Sequence, residues 1–230
     1  MVASRKAVPS LTVENYVKMM YLIAARAPAG SAVATGELAH GLGVSPGTVT
    51  GMLKTLSEAN LATYTPYEGA RLTGSGERLA LTVLRRHRLL ELFLVQTLDM
   101  TWDEVHEEAE NLEHAVSDRL VDRIDAFLGH PAVDPHGDPI PTADGSLIVP
   151  PGQPLAEVPR GRRFRLVRVV DQDPAFLRYL SECGLDLGTE GTLTENRPEA
   201  GALVLNVRGQ AVALGHDAAG KVLVTLTGGD

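Results

Sequence analysis

Apolar residues at Val13, Tyr16, Val17, Met20, Tyr21 and Ala24 recur at helical spacing and predict a helix over 11–27, with Thr12 as its cap. A shorter helix follows from Thr35 to about His40, then a turn bearing Gly41 and Gly43, then a helix opened by Ser45 and Pro46. Leu38, Val44, Val49, Leu53 and Leu56 form the predicted buried face of this pair. The segment LATYTPYEGARLT alternates about a Pro/Glu/Gly turn and predicts a β-hairpin. One long helix then runs through GSGERLALTVLRRHRLLELFLVQTL to about Leu98. Thr101 and Glu104 have capping-box spacing, so a further helix is expected from about Trp102. Toward the C-terminus, β-rich runs at 164–171, 190–195, 202–207 and 221–226 surround a helix at about 174–182, which suggests a small barrel. The fold class is mainly α with a small β part.

Two helices joined by a tight glycine turn and followed by a hairpin make a winged helix-turn-helix, whose second helix lies in a DNA major groove. Its outward residues are Pro46, Gly47, Thr48, Thr50, Gly51 and Lys54. Ser45 and Pro46 set the start of this helix. Lys54 and Arg71 suit phosphate, and Thr48 and Thr50 suit phosphate or a thymine methyl. No Arg, Gln or Asn stands on the front of this helix, so DNA shape is expected to carry more of the specificity than base contacts.

The charge of −8 argues at first against a nucleic-acid partner, but it is unevenly spread. Residues 1–75 hold six Lys/Arg against four Asp/Glu (+2), residues 76–148 six against fifteen (−9), and residues 149–230 nine against ten (−1). Eight of the fourteen prolines fall between Pro131 and Pro159, where a linker is expected from about 130. Three domains follow: 1–75 DNA-binding, 76–148 helical, and 149–230 small and β-rich. No apolar run approaches the roughly 20 residues needed to cross a bilayer, so the expected location is the cytoplasm and no membrane partner is expected.

The acidic excess concentrates in HEEAENLEH, from His106 to His114. At 100° per residue His106, Glu110, Glu113 and His114 share a face, while Glu107 and Glu108 point to solvent. His87 and Glu91 are four apart on the preceding helix. Carboxylates on one face repel unless a positive group lies between them, and a divalent cation removes that cost. The alternative is an acidic solvated helix with incidental histidines. The only cysteine, Cys183, lies far off in sequence and reads as a small hydrophobe, so the ligands are nitrogen and carboxylate oxygen, a set that suits Mn²⁺, Fe²⁺ or Zn²⁺. His40, His130, His136 and His216 lack helical partners of ligand type and read as structural or solvent-facing.

With RRHRLLELFL (85–94), VHEEAENLEHAVSD (105–118) and HPAVDPHGDPIP (130–141), the chain resembles the diphtheria-toxin-repressor family of metal-dependent transcription regulators over nearly its whole length. The resemblance implies a helical metal-binding and dimerisation domain and a C-terminal SH3-like domain. It places His87, Glu91 and His106 at an ancillary metal site and Glu110, Glu113 and His114 at the primary, regulatory site. Glutamate at the position of Glu110, where iron-sensing members carry cysteine, marks the manganese-sensing branch. Mn²⁺ is therefore the expected cofactor, with Fe²⁺ as the alternative and one or two ions per subunit. The family's first-helix ligand falls at Asn15, with Glu14 as a substitute. Lys18 replaces a second glutamate, and Gly51 replaces a base-reading glutamine. Gln172 and Asp173, just before the C-terminal helix, are candidates by position to complete the ancillary site. The implied function is a homodimeric, metal-activated repressor of metal-uptake genes on an inverted-repeat operator in double-stranded DNA, with dimer contacts from about 103–127.

Two other functions compete. A carboxylate-bridged di-metal enzyme needs Glu-x-x-His on two helices, and the only one here is Glu37 to His40. HEEAE does not match the zinc-protease His-Glu-x-x-His either. A metal buffer leaves the winged helix unexplained.

Overall fold

The computed structural model describes residues 10–28 and 30–228. Two compact units emerge, one of residues 1–86 with 141–145, the other of residues 87–140 with 146–230.

In the first unit, α1 (Leu11–Arg26) is capped by Ser10, whose hydroxyl accepts from the Val13 amide, rather than by the expected Thr12. Helix α2 (Thr35–Leu42) ends at Gly43 with φ 64°, a left-handed stop that glycine adopts without strain. Helix α3 (Pro46–Glu58) starts as the sequence predicts: Ser45 caps it and Pro46 fills its first position. Strands β1 (Ala62–Thr65) and β2 (Gly69–Leu72) form the predicted hairpin, and Ala70 also bridges to Val33. Tyr16, Val17, Met20, Leu38, Val49, Leu53 and Leu56 are buried together under it. Val44 is exposed, against expectation: it lies in the turn and its side chain leaves the core. Helix α4 (Gly74–Leu98) begins here and continues into the second unit.

The second unit opens with α4's C-terminal half. Glu104 does reach back to the Thr101 amide at 3.1 Å, but this closes a turn, and α5 (Val105–Leu112) starts three residues later than expected. Helix α6 (Asp118–Phe127) follows, capped by Ser117. Leu89, Leu90, Leu92, Ala109, Val121, Ile124 and Ile140 make a core between these helices. The proline-rich segment is only partly a linker, since every residue from 134 to 141 is buried. Its turn needs Gly137, with φ 86°: a Cβ there would lie 2.1 Å from the Val167 carbonyl oxygen.

Six antiparallel strands complete the unit: β3 (Gln153–Pro154), β4 (Arg163–Val169), β5 (Glu190–Arg197), β6 (Ala202–Val207), β7 (Gln210–Gly215) and β8 (Val222–Thr227). Their order is β3-β8-β4-β5-β6-β7, an open sheet and not a closed barrel. Helix α7 (Pro174–Glu182) follows β4, and a short α8 (His216–Gly220) lies between β7 and β8. Phe164, Leu166, Leu177, Leu180 and Leu193 are buried beneath the sheet, and Trp102 joins them from the α4–α5 connection.

Candidate functional site

Helix α4 presents His87, Arg88 and Glu91 inward, all buried. His87 is the hub. Its Nδ1 lies 2.7 Å from Glu113 Oε2 and its Nε2 lies 3.0 Å from Glu91 Oε1. His106 Nδ1 is 3.2 Å from both His87 Nε2 and Glu91 Oε1. Glu110 approaches both rings, with Oε1 3.9 Å from His87 Nδ1 and 4.0 Å from His106 Nε2. His114 Nε2 lies 3.1 Å from Glu113 Oε1. All six residues expected from α4 and HEEAENLEH therefore meet. They do so although α5 ends at Leu112, because Glu113 and His114 follow it in a turn that aims them back. Glu107 and Glu108 are exposed. The expected split into two ligand sets is bridged by His87, which touches Glu91 on one side and Glu113 on the other.

The chemistry fits a cation. Glu91 and Glu113 are 1% and 0% exposed on their side chains. A neutral His87 can donate to only one of its two carboxylate neighbours, leaving a lone pair against the other. Nitrogen and carboxylate donors converging without sulfur match a hard divalent ion. His87, His106 and Glu110 offer ligand atoms within 4.8 Å of one another.

A second cluster shares Glu91 and was not expected from the sequence. Glu91, Asp134 and His136 are all buried and also bring ligand atoms within 4.8 Å. His136 Nε2 lies 2.7 Å from the Trp102 carbonyl oxygen, so it donates there, and in the neutral ring Nδ1 keeps its lone pair. That Nδ1, Glu91 Oε2 and Asp134 Oδ2 are buried without a hydrogen bond. Burial alone would raise the Glu91 carboxyl, but His87, with His106 and His136, holds it far below the usual carboxylate range. Burial, reinforced by Glu91 and Asp138, pushes Asp134 well above that range against the pull of Arg88. The two adjacent carboxyls are thus driven in opposite directions, Glu91 toward its ionised form and Asp134 toward its protonated form. Asp134 was missed because its partners come from other elements, and His136 because it has no helical spacing. The alternation of aspartate, histidine and aspartate in DPHGDP was the available signal.

The side chains just before α7 have other partners. Gln172 donates its amide to Asp138 Oδ2 at 2.9 Å, and Asp173 Oδ1 accepts from the Ala175 and Phe176 amides as the cap of α7. Asp171 accepts from Lys221 at 2.7 Å. In the N-terminal unit, Glu14 is buried and accepts from Arg86 at 3.3 Å, Lys18 is also buried, and Asn15 Oδ1 is buried without a hydrogen bond. Cys183 is half-buried at the end of α7 and packs on the C-terminal core.

On α3, Pro46, Thr48, Gly51 and Lys54 are exposed. Ser45 is exposed too but engaged, its hydroxyl lying 2.9 Å from that of Thr48. The Thr50 hydroxyl donates to the Pro46 carbonyl, and Arg71 Nε donates to the Gly30 carbonyl, so both are partly committed within the unit.

Three family models match in succession: the N-terminal DNA-binding domain of iron-dependent repressors over residues 10–70, their metal-binding and dimerisation domain over 73–142, and the FeoA domain over 153–226. A solved manganese-dependent transcriptional repressor in complex with manganese is 41% identical, with a TM-score of 0.83, over 94% of this chain and all of that one. The chain belongs to the diphtheria-toxin-repressor family of metal-dependent transcriptional repressors. The iron-dependent repressor IdeR of Mycobacterium tuberculosis is 28% identical over 93% of this chain and 96% of its own length. The manganese regulator SloR is 33% identical with a TM-score of 0.74, over 94% of this chain and 98% of its own. Membership sets aside the di-metal oxidase and zinc-protease alternatives, since the family consists of repressors and not enzymes. Within this diphtheria-toxin-repressor framework, the acidic stretch and its two histidines fall in the metal-binding and dimerisation match.

A divalent cation that fills this cluster, at about a hundred times its dissociation constant, is expected to stabilise the chain by about 2.7 kcal/mol, read as a rise in Tm. Glu113→Gln keeps the shape and removes the charge, and is expected to lose most of that rise. An equal rise in both proteins would contradict the assignment of Glu113.

Proposed function

We propose that the chain is a Mn²⁺-activated, homodimeric, DNA-binding repressor of metal-uptake genes. The observation that carries this reading is the His87-centred cluster, in which glutamates and histidines converge and the chain's single cysteine takes no part. Glu110 is the discriminating residue, because a carboxylate there favours manganese over the softer sites that thiolate builds. Fe²⁺ is the runner-up, and the iron-dependent relatives are its support.

His87, His106, Glu110, Glu113 and His114 hold the regulatory ion, and Glu91, Asp134 and His136 supply donors for a second. The bound charge relieves the repulsion among these carboxylates. Residues 1–75 carry DNA binding, 76–148 metal binding and dimerisation, and 149–230 the third domain. Ser45, Pro46, Thr48, Thr50, Lys54 and Arg71 face the DNA. Metal acts on DNA binding by favouring one arrangement of the protein over another, so its effect is limited by its differential affinity for the two.

The dimer forms through an apolar groove of about 760 Å³ bordered by Phe93, Leu98, Leu112, Leu120 and Phe127. Leu98, Leu112, Leu120 and Phe127 are exposed in the single chain, an arrangement expected of a covered face. A two-fold dimer reads an inverted repeat. Light scattering is expected to give a dimer for the native protein and a monomer for Leu120→Glu with Phe127→Glu. A monomeric native protein, or a dimeric variant, would contradict this face.

Fluorescence anisotropy tests the function, using duplexes that the native protein selects from a random library, without metal and with Mn²⁺, anaerobic Fe²⁺ or Zn²⁺. Mn²⁺ is expected to tighten binding about tenfold or more, a coupling of about 1.4 kcal/mol. Glu110→Ala is expected to abolish the gain. Equal affinity with and without metal would refute the reading.

A further inference from the structure

Trp102 is the chain's single tryptophan, and it lies in the connection between α4 and α5. Its indole packs into the core beneath the sheet, in one cluster with Leu177 and Leu180 of α7. Burial alone asks only for apolar area at such a place. Trp102 instead makes three directed contacts. Its carbonyl oxygen lies 2.7 Å from His136 Nε2, its ring lies nearly parallel to that imidazole at 13° with centroids 6.2 Å apart, and its indole N–H donates to Ser181 Oγ at 3.0 Å. Ser181 in turn donates to Asp186 Oδ1 at 2.8 Å, so the hydroxyl that receives the indole proton is itself fixed.

A carbonyl oxygen only accepts. Facing one, Nε2 of His136 carries the ring's proton, and the neutral ring then has its lone pair on Nδ1. That nitrogen is 3.8 Å from Glu91 Oε2, and both atoms are buried without a hydrogen bond. The opposite tautomer would set a lone pair against the carbonyl and leave no nitrogen donor for an ion. Metal-binding histidines are ordinarily oriented in this way, by an acceptor on the nitrogen that does not bind. Here the acceptor belongs to the backbone of a residue whose side chain is anchored to α7, 79 residues further along the chain.

We propose that Trp102 is the positioning residue of the second cation site. Its anchored indole holds the carbonyl in place, the carbonyl holds the His136 proton on Nε2, and Nδ1 is left to the ion beside Glu91 and Asp134. The inference rests on the second-ion reading above. Ser181 takes part through the indole that it fixes. The ion at His87 is placed by other contacts, those of His87 with Glu113 and Glu91, and is expected to be indifferent to the indole.

The test counts Mn²⁺ ions on the full-length chain, from the electron paramagnetic resonance of the free ion, and identifies the second ion as the one lost in His136→Ala. Trp102→Phe keeps a ring over the imidazole and removes the indole N–H. Ser181→Ala removes the same hydrogen bond from the other side. Each is expected to weaken the second ion about tenfold and to leave the first at native affinity. The double variant is expected to be no weaker than either, because one hydrogen bond is lost in all three. In the metal-free chain, long-range ¹H–¹⁵N correlation is expected to show the His136 proton on Nε2 in the native protein and shared between both nitrogens in the variants. Native second-ion affinity in the variants overturns the inference, as does equal weakening of both ions, which marks general loosening, or a native ring protonated on Nδ1. A native chain that binds one ion only, and keeps it in His136→Ala, overturns the second-ion reading and this inference with it.

Discussion

A buried carboxylate must be met by positive charge, and around His87 the chain buries two of them among imidazoles. Glu91 and Glu113 press on opposite edges of that ring, and His106 and Glu110 close the surround. Packing alone does not favour this arrangement: apolar residues would fill the space between α4, α5 and the following turn at lower cost. The cluster makes physical sense as a receptor for a cation, and the neighbouring elements are arranged to keep it in place. Trp102 ties the α4–α5 connection to the C-terminal core, donating its indole N–H to Ser181, while its carbonyl fixes the His136 ring.

The same constraint explains the conformation of the proline-rich segment. Asp134 Oδ1 accepts from the His136 and Asp138 amides, which folds the turn, while Oδ2 lies 3.7 Å from Arg88 Nε and makes no hydrogen bond. Arg88 lies 3.7 Å from Asp134 and 3.6 Å from Asp138, and Arg168 also pairs with Asp138, so Asp138 meets two guanidinium groups and Asp134 shares one of them. Buried carboxyls thus run continuously from Glu113 through Glu91 to Asp134. An ion at one end changes the electrostatics of the other, because Glu91 belongs to both.

Local signals were legible in the sequence. Ser45 with Pro46 marks the start of α3, and the long helix expected to run to about Leu98 is α4. The six ligand candidates on α4 and in HEEAENLEH were readable because they follow helical spacing, even though the last two lie just beyond the helix. What escaped was non-local. His136 acquires its role from the Trp102 carbonyl and from Glu91, both distant in sequence. The Thr101–Glu104 bond is present but closes a turn, because the chain must bend there to bury Trp102. Strand β7 was overlooked because it is bounded by glycine and its residues are mostly exposed on a sheet edge. Gln172 and Asp173, placed by position alone, have hydrogen bonds to Asp138 and to the α7 amides.

The central claim is that filling the His87-centred cluster and binding DNA are one linked event, and linkage is reciprocal. The most direct measurement is the affinity for Mn²⁺, read from the electron paramagnetic resonance of the free ion, with and without a saturating selected duplex. The account predicts that DNA tightens Mn²⁺ binding by the same factor, about tenfold or more, by which Mn²⁺ tightens DNA binding. Identical Mn²⁺ affinity in the two titrations would contradict it.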